Sequence, residues 1–408
     1  MARWQTFAAL RHREYRLLWA GQTAGALAGW MDMVTRGWLM YELTRSPVQL
    51  GLVQGIQALP ILLLSPVAGS VADRHARKPL VVAAQATAAA LFGCLAVLVL
   101  TGNVRPGHLY AMAFAMAVIQ TFHQPARAAM VADAVPPQQL TNAIGLSSIG
   151  YNVARSTGPA IAGLLIARFG TGSCYVVQSA FYALAVIATL GLRPTSAAAA
   201  AAARDTVPAS FRRSTVEGWV FSWRNEAVRT GLLVTATASL FIMPFTTLLP
   251  VFARDILGVG ATGQGSLLTA MGLGAICSAF LIASLGHQMP RGLLMLGGVT
   301  LYGLSVVAFA ASPSFRLSLA LMAVVGMCHV SSYALVNTII QSYSPAAFRG
   351  RTMSVFHMSE VVVTVGGMLA GALAGLLGAR WAAAAMGASG ALLALAIAAA
   401  LPRARRIR

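Results

Sequence analysis

Acidic side chains are scarce in this sequence. Asp and Glu together number ten among 408 residues, against 29 Lys and Arg, and Lys78 is the one lysine. Charged residues of all kinds make up 10% of the chain, too few to cover the surface of a soluble protein that is 58% hydrophobic. The four cysteines, Cys94, Cys174, Cys277 and Cys328, stand singly with no CxxC spacing, so neither a disulfide framework nor a thiolate metal site follows. The seven histidines are scattered, with no pair at metal-ligand spacing. HExxH, GxSxG and Gly-rich phosphate loops are also missing. These absences argue against an enzyme and against a bound metal.

What the chain does have is apolar length. Mean hydropathy is +0.73, and runs near 16–43, 50–72, 80–101, 108–130, 140–167 and 174–192 each reach the roughly 20 residues a helix needs to cross hydrocarbon. Six more follow near 228–253, 266–286, 292–311, 315–343, 350–379 and 381–401, which predicts an all-α membrane protein of twelve transmembrane helices. The basic N-terminus precedes a run too long for a cleavable signal, so that run is expected to stay as the first span. A net charge of +19 would suggest nucleic acid in a soluble domain. Here the cations lie in short segments between apolar runs and read as topology signals, with a lipid bilayer and not a nucleic acid as partner. With both termini cytoplasmic, the inside segments carry twenty-one cations and the outside segments six.

The longest polar stretch lies midway and contains an alanine tract at 197–203, which marks 193–227 as a cytoplasmic linker between halves at 1–192 and 228–408. Sliding the chain by 209 positions lays Pro136 on Pro345 and Gly158 on Gly367, a weak internal repeat consistent with two pseudo-symmetric six-helix bundles.

One loop breaks the scarcity of charge. GSVADRHARKP, Gly69 to Pro79, places five ionisable side chains between Asp73 and Lys78. Cations there help to set topology, but an acid contributes little to orientation, so Asp73 calls for another explanation. The segment resembles the loop signature of the major facilitator superfamily, with Val71 and Ala76 as departures. A second stretch, ARSTGPAIAG at 154–163, resembles the Gly-Pro-x-x-Gly motif of that superfamily's exporters through Gly158, Pro159 and Gly163. LRHREYRLLWAGQ, YELTRSPVQLG, QPARAAMVADAVPPQQLTNA and FRGRTMSV resemble its drug:proton antiporter group, which includes macrolide and siderophore exporters. The resemblance implies a latch between the halves made of Gly69, Asp73, Arg74, Arg77, Lys78 and Asp133, with Arg349 and Arg351 opposite. It also implies export, by alternating access, from a bacterial cytoplasmic (inner) membrane.

Ionisable residues in mid-bilayer cost roughly 2.5 to 3.5 kcal/mol on insertion scales and each needs a reason. Asp32 and Arg36 in GWMDMVTRGW are four apart and share a helical face. They suit either a self-neutralising pair that lowers the cost of insertion or a proton site whose affinity Arg36 sets. Glu360, with His357 three positions earlier, and Arg155, with Tyr151 and Asn152 one turn before, are further coupling or cavity candidates on spans that border the central cavity in the resembled superfamily. Gln54, Gln57, Gln120, Phe241 and Phe245 complete a candidate pocket of aromatic and few polar groups, suited to bulky amphipathic molecules, although each also suits a lipid-facing place. The function expected is proton-coupled efflux of an amphipathic small molecule by a monomer that needs no cofactor, a proton gradient being the energy source. A lysophospholipid or lipid-linked translocator on the same scaffold is the alternative.

Overall fold

Every regular element that the computed structural model assigns to the described residues, 7–193, 211–285 and 290–406, is helical. The all-α expectation therefore holds. Eight stretches among the described residues are long and apolar enough to cross a membrane. Three further helices have the length but are not among the eight: Gly260–Leu285, and the two with the more polar faces, α1 (Arg13–Thr44) and α5 (Pro106–Asp133). For α1 and α5 the sequences explain this, since α1 carries Gln22, Asp32 and Arg36, and α5 carries Gln120, His123, Gln124 and Arg127. Contacts sort the described chain into two compact units, Met1–Leu43 with Ile56–Val207 and Thr44–Gly55 with Pro208–Arg408.

The first unit contains α1, α3 (Ala58–Arg74), α4 (Arg77–Leu100), α5 and α6 (Leu140–Leu190). α6 is two helical limbs joined at Gly170, whose φ of +78° lies in the region that only glycine enters without strain. The predicted spans 140–167 and 174–192 are thus continuous except for that one residue. α1 is pinned to the first limb of α6 at one end, where Tyr15 Oη donates to Ala143 O at 2.6 Å and Trp19 Nε1–H donates to Leu146 O at 2.9 Å. Further along, the missing side chains at Gly21 and Gly25 let α1 rest on Ala185, Ala188 and Tyr182 of the second limb.

The second unit begins with α2 (Pro47–Gly55), so the predicted span 50–72 is interrupted by a turn at residues 56–57. Gly55 ends α2 where the Met368 side chain takes the space a Cβ would need. The unit continues with α7 (Phe211–Arg224), α8 (Glu226–Thr237), an irregular stretch over residues 238–256, then α9 (Gly260–Leu285), α10 (Arg291–Ala311), α11 (Phe315–Tyr343), α12 (Ala346–His357), α13 (Ser359–Leu377) and α14 (Ala379–Ala400). Residues 238–256 alternate π and 3-10 turns around Pro244 and Pro250, which lack the N–H an α-helix would use. Glycines again set the close crossings: Gly51 of α2 faces Gly367 and Gly371 of α13, and Gly303 of α10 faces Gly387 of α14.

α8 is started by Asn225, whose side-chain oxygen accepts from Val228 N at 3.1 Å while its amide donates to Tyr343 O at 3.3 Å. One residue thus caps one helix and ties it to the end of α11. Asn225→Ala is expected to cost about 1 kcal/mol, as loss of an N-cap does. Thermal unfolding of the purified protein should show a lowered midpoint for Asn225→Ala and a near-normal one for Asn225→Asp, which keeps the capping oxygen.

Candidate functional site

The residues singled out in the sequence fall into three groups in space. The first is the buried charge on α1. Asp32 is 6% exposed and its Oδ2 lies 3.4 Å from Arg36 Nε, so the four-residue spacing does bring the pair together. The other carboxylate oxygen, Oδ1, is buried with no hydrogen-bond partner among the described residues. One turn along, Gln178 donates to Thr35 Oγ1 at 3.1 Å from the second limb of α6, leaving its own Oε1 without a partner. Tyr175 and Tyr182 of the same limb lie within the electrostatic reach of Asp32. Asp32 is thus a half-satisfied acid among buried polar groups.

The second group lines a cavity of about 300 Å³ beside α1. Gly29, with nothing within 4 Å of where its Cβ would stand, forms open wall there. Trp30, Tyr151 and Tyr182 supply aromatic faces, and Trp30 and Tyr151 meet edge to face at 5.8 Å. The Arg155 guanidinium sits 5.5 Å over the Trp30 ring, so this predicted cation reaches the cavity through the indole. Gln120 lines the cavity as expected and donates to Tyr182 Oη at 3.3 Å. Asp32 is not among the lining residues.

Most of the lining was not singled out for the pocket from sequence: Gln22, Trp30, Met33 and Tyr182, and with them Gln85, His123, Gln124 and Arg127. Gln85 accepts from Thr189 at 2.9 Å, and Arg127 Nη2 donates to Gln124 Oε1 at 2.7 Å. The signal for three of them is legible in retrospect: Gln120, His123, Gln124 and Arg127 recur at helical spacing and form a polar stripe along α5. Arg127 reads instead as a topology charge when only its distance from the helix end is considered.

The third group is the charged loop and its surroundings. Arg77 Nη1 donates to Asp133 Oδ2 at 2.6 Å, and Lys78 Nζ donates to Leu190 O at 2.8 Å and Leu192 O at 2.5 Å, capping the C-terminal end of α6. Gly69 lies within α3. The side chains of Asp73, Arg74 and Glu360 lie outside the described residues. Arg349 is exposed, whereas Arg351 is held within its own unit by Glu217 of α7 and covers the Phe348 ring at 5.3 Å. Phe348 in turn stacks on Phe221 of α7 at 4.8 Å. Arg351 thus belongs to a built contact between α7 and α12.

The remaining pocket candidates are dispersed. Phe245 is fully buried and meets Phe309 edge to face at 5.7 Å, so its ring is core and offers a ligand no surface. Phe241 is half-buried beside Gly390, and Gln54 packs over Gly367. Gln57 is half-buried; Asn152 is exposed, with its amide on Ser148 O at 2.9 Å; His357 is exposed against Phe356 at 5.6 Å.

With the geometry in hand, comparison with known proteins decides the class. Residues 4–407 match the model of the family described as transmembrane secretion effector. The chain belongs to that family, within the major facilitator superfamily. Like other transmembrane secretion effectors, it is a multi-pass membrane transporter. The multidrug efflux pump Tap of Mycolicibacterium fortuitum is 27% identical over 89% of this chain and 89% of its own. The staphyloferrin A transporter of Staphylococcus aureus is 24% identical over 86% of this chain and 87% of its own, and macrolide efflux protein A of Streptococcus pyogenes is 23% identical over 84% of each. In fold, the chain is similar to the nucleoside transporter NupG, with a TM-score of 0.73 at 13% identity over 94% of this chain and 98% of that one. It is equally similar to a bacterial homologue of the human lysosomal transporter Spinster, with a TM-score of 0.72 at 15% identity over 97% and 96%.

The exporter-type motif has a plain structural part in this site. Gly158 and Pro159 are buried in α6, as is Gly163, and a Cβ on Gly158 would stand 2.9 Å from Trp30 Cβ and 3.3 Å from Leu27 O and Met31 N. The absent side chain lets α1 carry Trp30 and Asp32 to their places. Gly158→Val should force the helices apart at a cost of about 1–3 kcal/mol. Gly145→Val, on the same helix with nothing within 4 Å, is the control. A lower unfolding midpoint for the first and an unchanged one for the second is the expected result.

Proposed function

We propose that this transporter exports an amphipathic small molecule from the bacterial cytoplasm in exchange for protons, with Asp32 as the proton carrier. The observation that carries the reading is the buried Asp32–Arg36 pair, with one carboxylate oxygen committed to Arg36 and the other without a partner. An ion pair in a low-dielectric interior is strongly held while both members are charged. Protonation of Asp32 releases Arg36 and leaves a net positive charge on α1, so the balance between the two packed states of α1 against α6 changes with each proton taken up. The efflux names of Tap and macrolide efflux protein A support the direction of transport.

The rest of the expected architecture goes with this reading: twelve spans in bundles at 1–192 and 228–408, a linker at 193–227, both termini in the cytoplasm, and a monomer that alternates access. Arg77, Lys78 and Asp133 serve in it as contacts that break and remake on each cycle, since an ion pair of this partial exposure is worth only about 1 kcal/mol.

The test is transport into everted membrane vesicles of a host stripped of its own pumps, followed with a fluorescent amphipathic probe. Accumulation should appear on energisation and collapse with a protonophore. Asp32→Asn should remove the energised component and leave facilitated equilibration. Accumulation that survives both the protonophore and Asp32→Asn rejects proton coupling through this residue.

A further inference from the structure

The cavity behind α1 has a one-sided charge. Among the described residues no Asp or Glu lines it, while Arg127 and His123 do, and Arg155 lies over its Trp30 wall. The guanidinium of Arg127 has no carboxylate within salt-bridge distance among the described residues; its one side-chain partner is the neutral Gln124. Its Nε, together with His123 Nε2 and Gln22 Oε1, is buried without a hydrogen-bond partner among the described residues. The acid on α1, Asp32, is not among the lining residues and is already paired with Arg36. A half-buried cation with donors left over and no acid beside it among the described residues is short of an anion.

We infer that this cavity receives the acidic end of the transported molecule, a carboxylate seated on Arg127, with the aromatic body of the molecule against Trp30, Tyr151 and Tyr182. A guanidinium presents paired donors that match a carboxylate, and the charge-assisted bonds it makes are about twice as strong as neutral ones. The flat rings on the facing wall take planar apolar groups with little demand on their shape. The substrate class is then amphipathic aromatic anions, and cationic amphipaths bind poorly because Arg127 and Arg155 repel them. This inference rests on the reading of the chain as a transporter of amphipathic molecules and narrows its cargo.

Binding to the purified full chain in detergent, followed by fluorescence polarisation, tests it without any need for transport. Fluorescein is the anionic probe and ethidium the cationic one. Wild-type protein should bind fluorescein at least about tenfold more tightly than ethidium, the worth of one charge-assisted hydrogen bond. Arg127→Gln should abolish that preference and Arg127→Lys should restore part of it. Gln124→Glu provides a route that keeps Arg127 in place: a carboxylate set beside the guanidinium neutralises it and should weaken fluorescein binding while leaving ethidium binding equal or stronger. Wild-type protein that binds fluorescein no better than ethidium overturns the inference. So does a preference for fluorescein that persists in both Arg127→Gln and Gln124→Glu. Anion-selective binding in a protein that shows no protonophore-sensitive accumulation would sink the proton-coupled reading and leave the anion site standing.

Discussion

The contact between α1 and the two limbs of α6 is the constraint on which the first unit depends. Helices in a membrane gain little from burying apolar surface, because lipid is as apolar as leucine, so they associate through close packing and shared polar contacts. Glycines at 21, 25 and 158 allow that approach, and hydrogen bonds from Tyr15 and Trp19 fix its register. Only with the backbones so near can α1 hold an aspartate and an arginine away from lipid and still present Trp30 to open space.

α1 therefore borders two environments. One is a charged pair in a buried, polar setting, and the other a cavity whose wall is aromatic and cationic. Tyr182 lines the cavity, accepts from Gln120 and stacks on Phe92 at 5.5 Å, so the cavity wall is fixed to the packing between α4 and the second limb of α6.

The second unit is assembled by the same means and lacks a buried charge pair among its described residues. Backbone-to-backbone crossings at Gly51 with Gly371 and at Gly303 with Gly387 replace side-chain interdigitation, and Phe245, Phe252 and Phe309 fill its interior. The pair Arg351–Glu217 and the stack of Phe348 on Phe221 dock α7 onto α12. A cation that looks in sequence like a free partner for the charged loop is thereby already engaged.

Much was legible in the sequence because the bilayer imposes its demands locally. Apolar length marks helices, the placement of arginines marks loops, and a four-residue interval alone puts Asp32 beside Arg36. The tertiary structure decided what no interval carries: that Asp32 stands outside the cavity's lining, that Phe245 is core, and that a topology-like arginine at 127 belongs to a polar wall with Gln85, more than thirty residues earlier in the chain. The reason is that the direction a side chain faces depends on which neighbouring helix comes close. That choice rests on glycines whose meaning appears only when the partner backbone, distant in sequence, is in place.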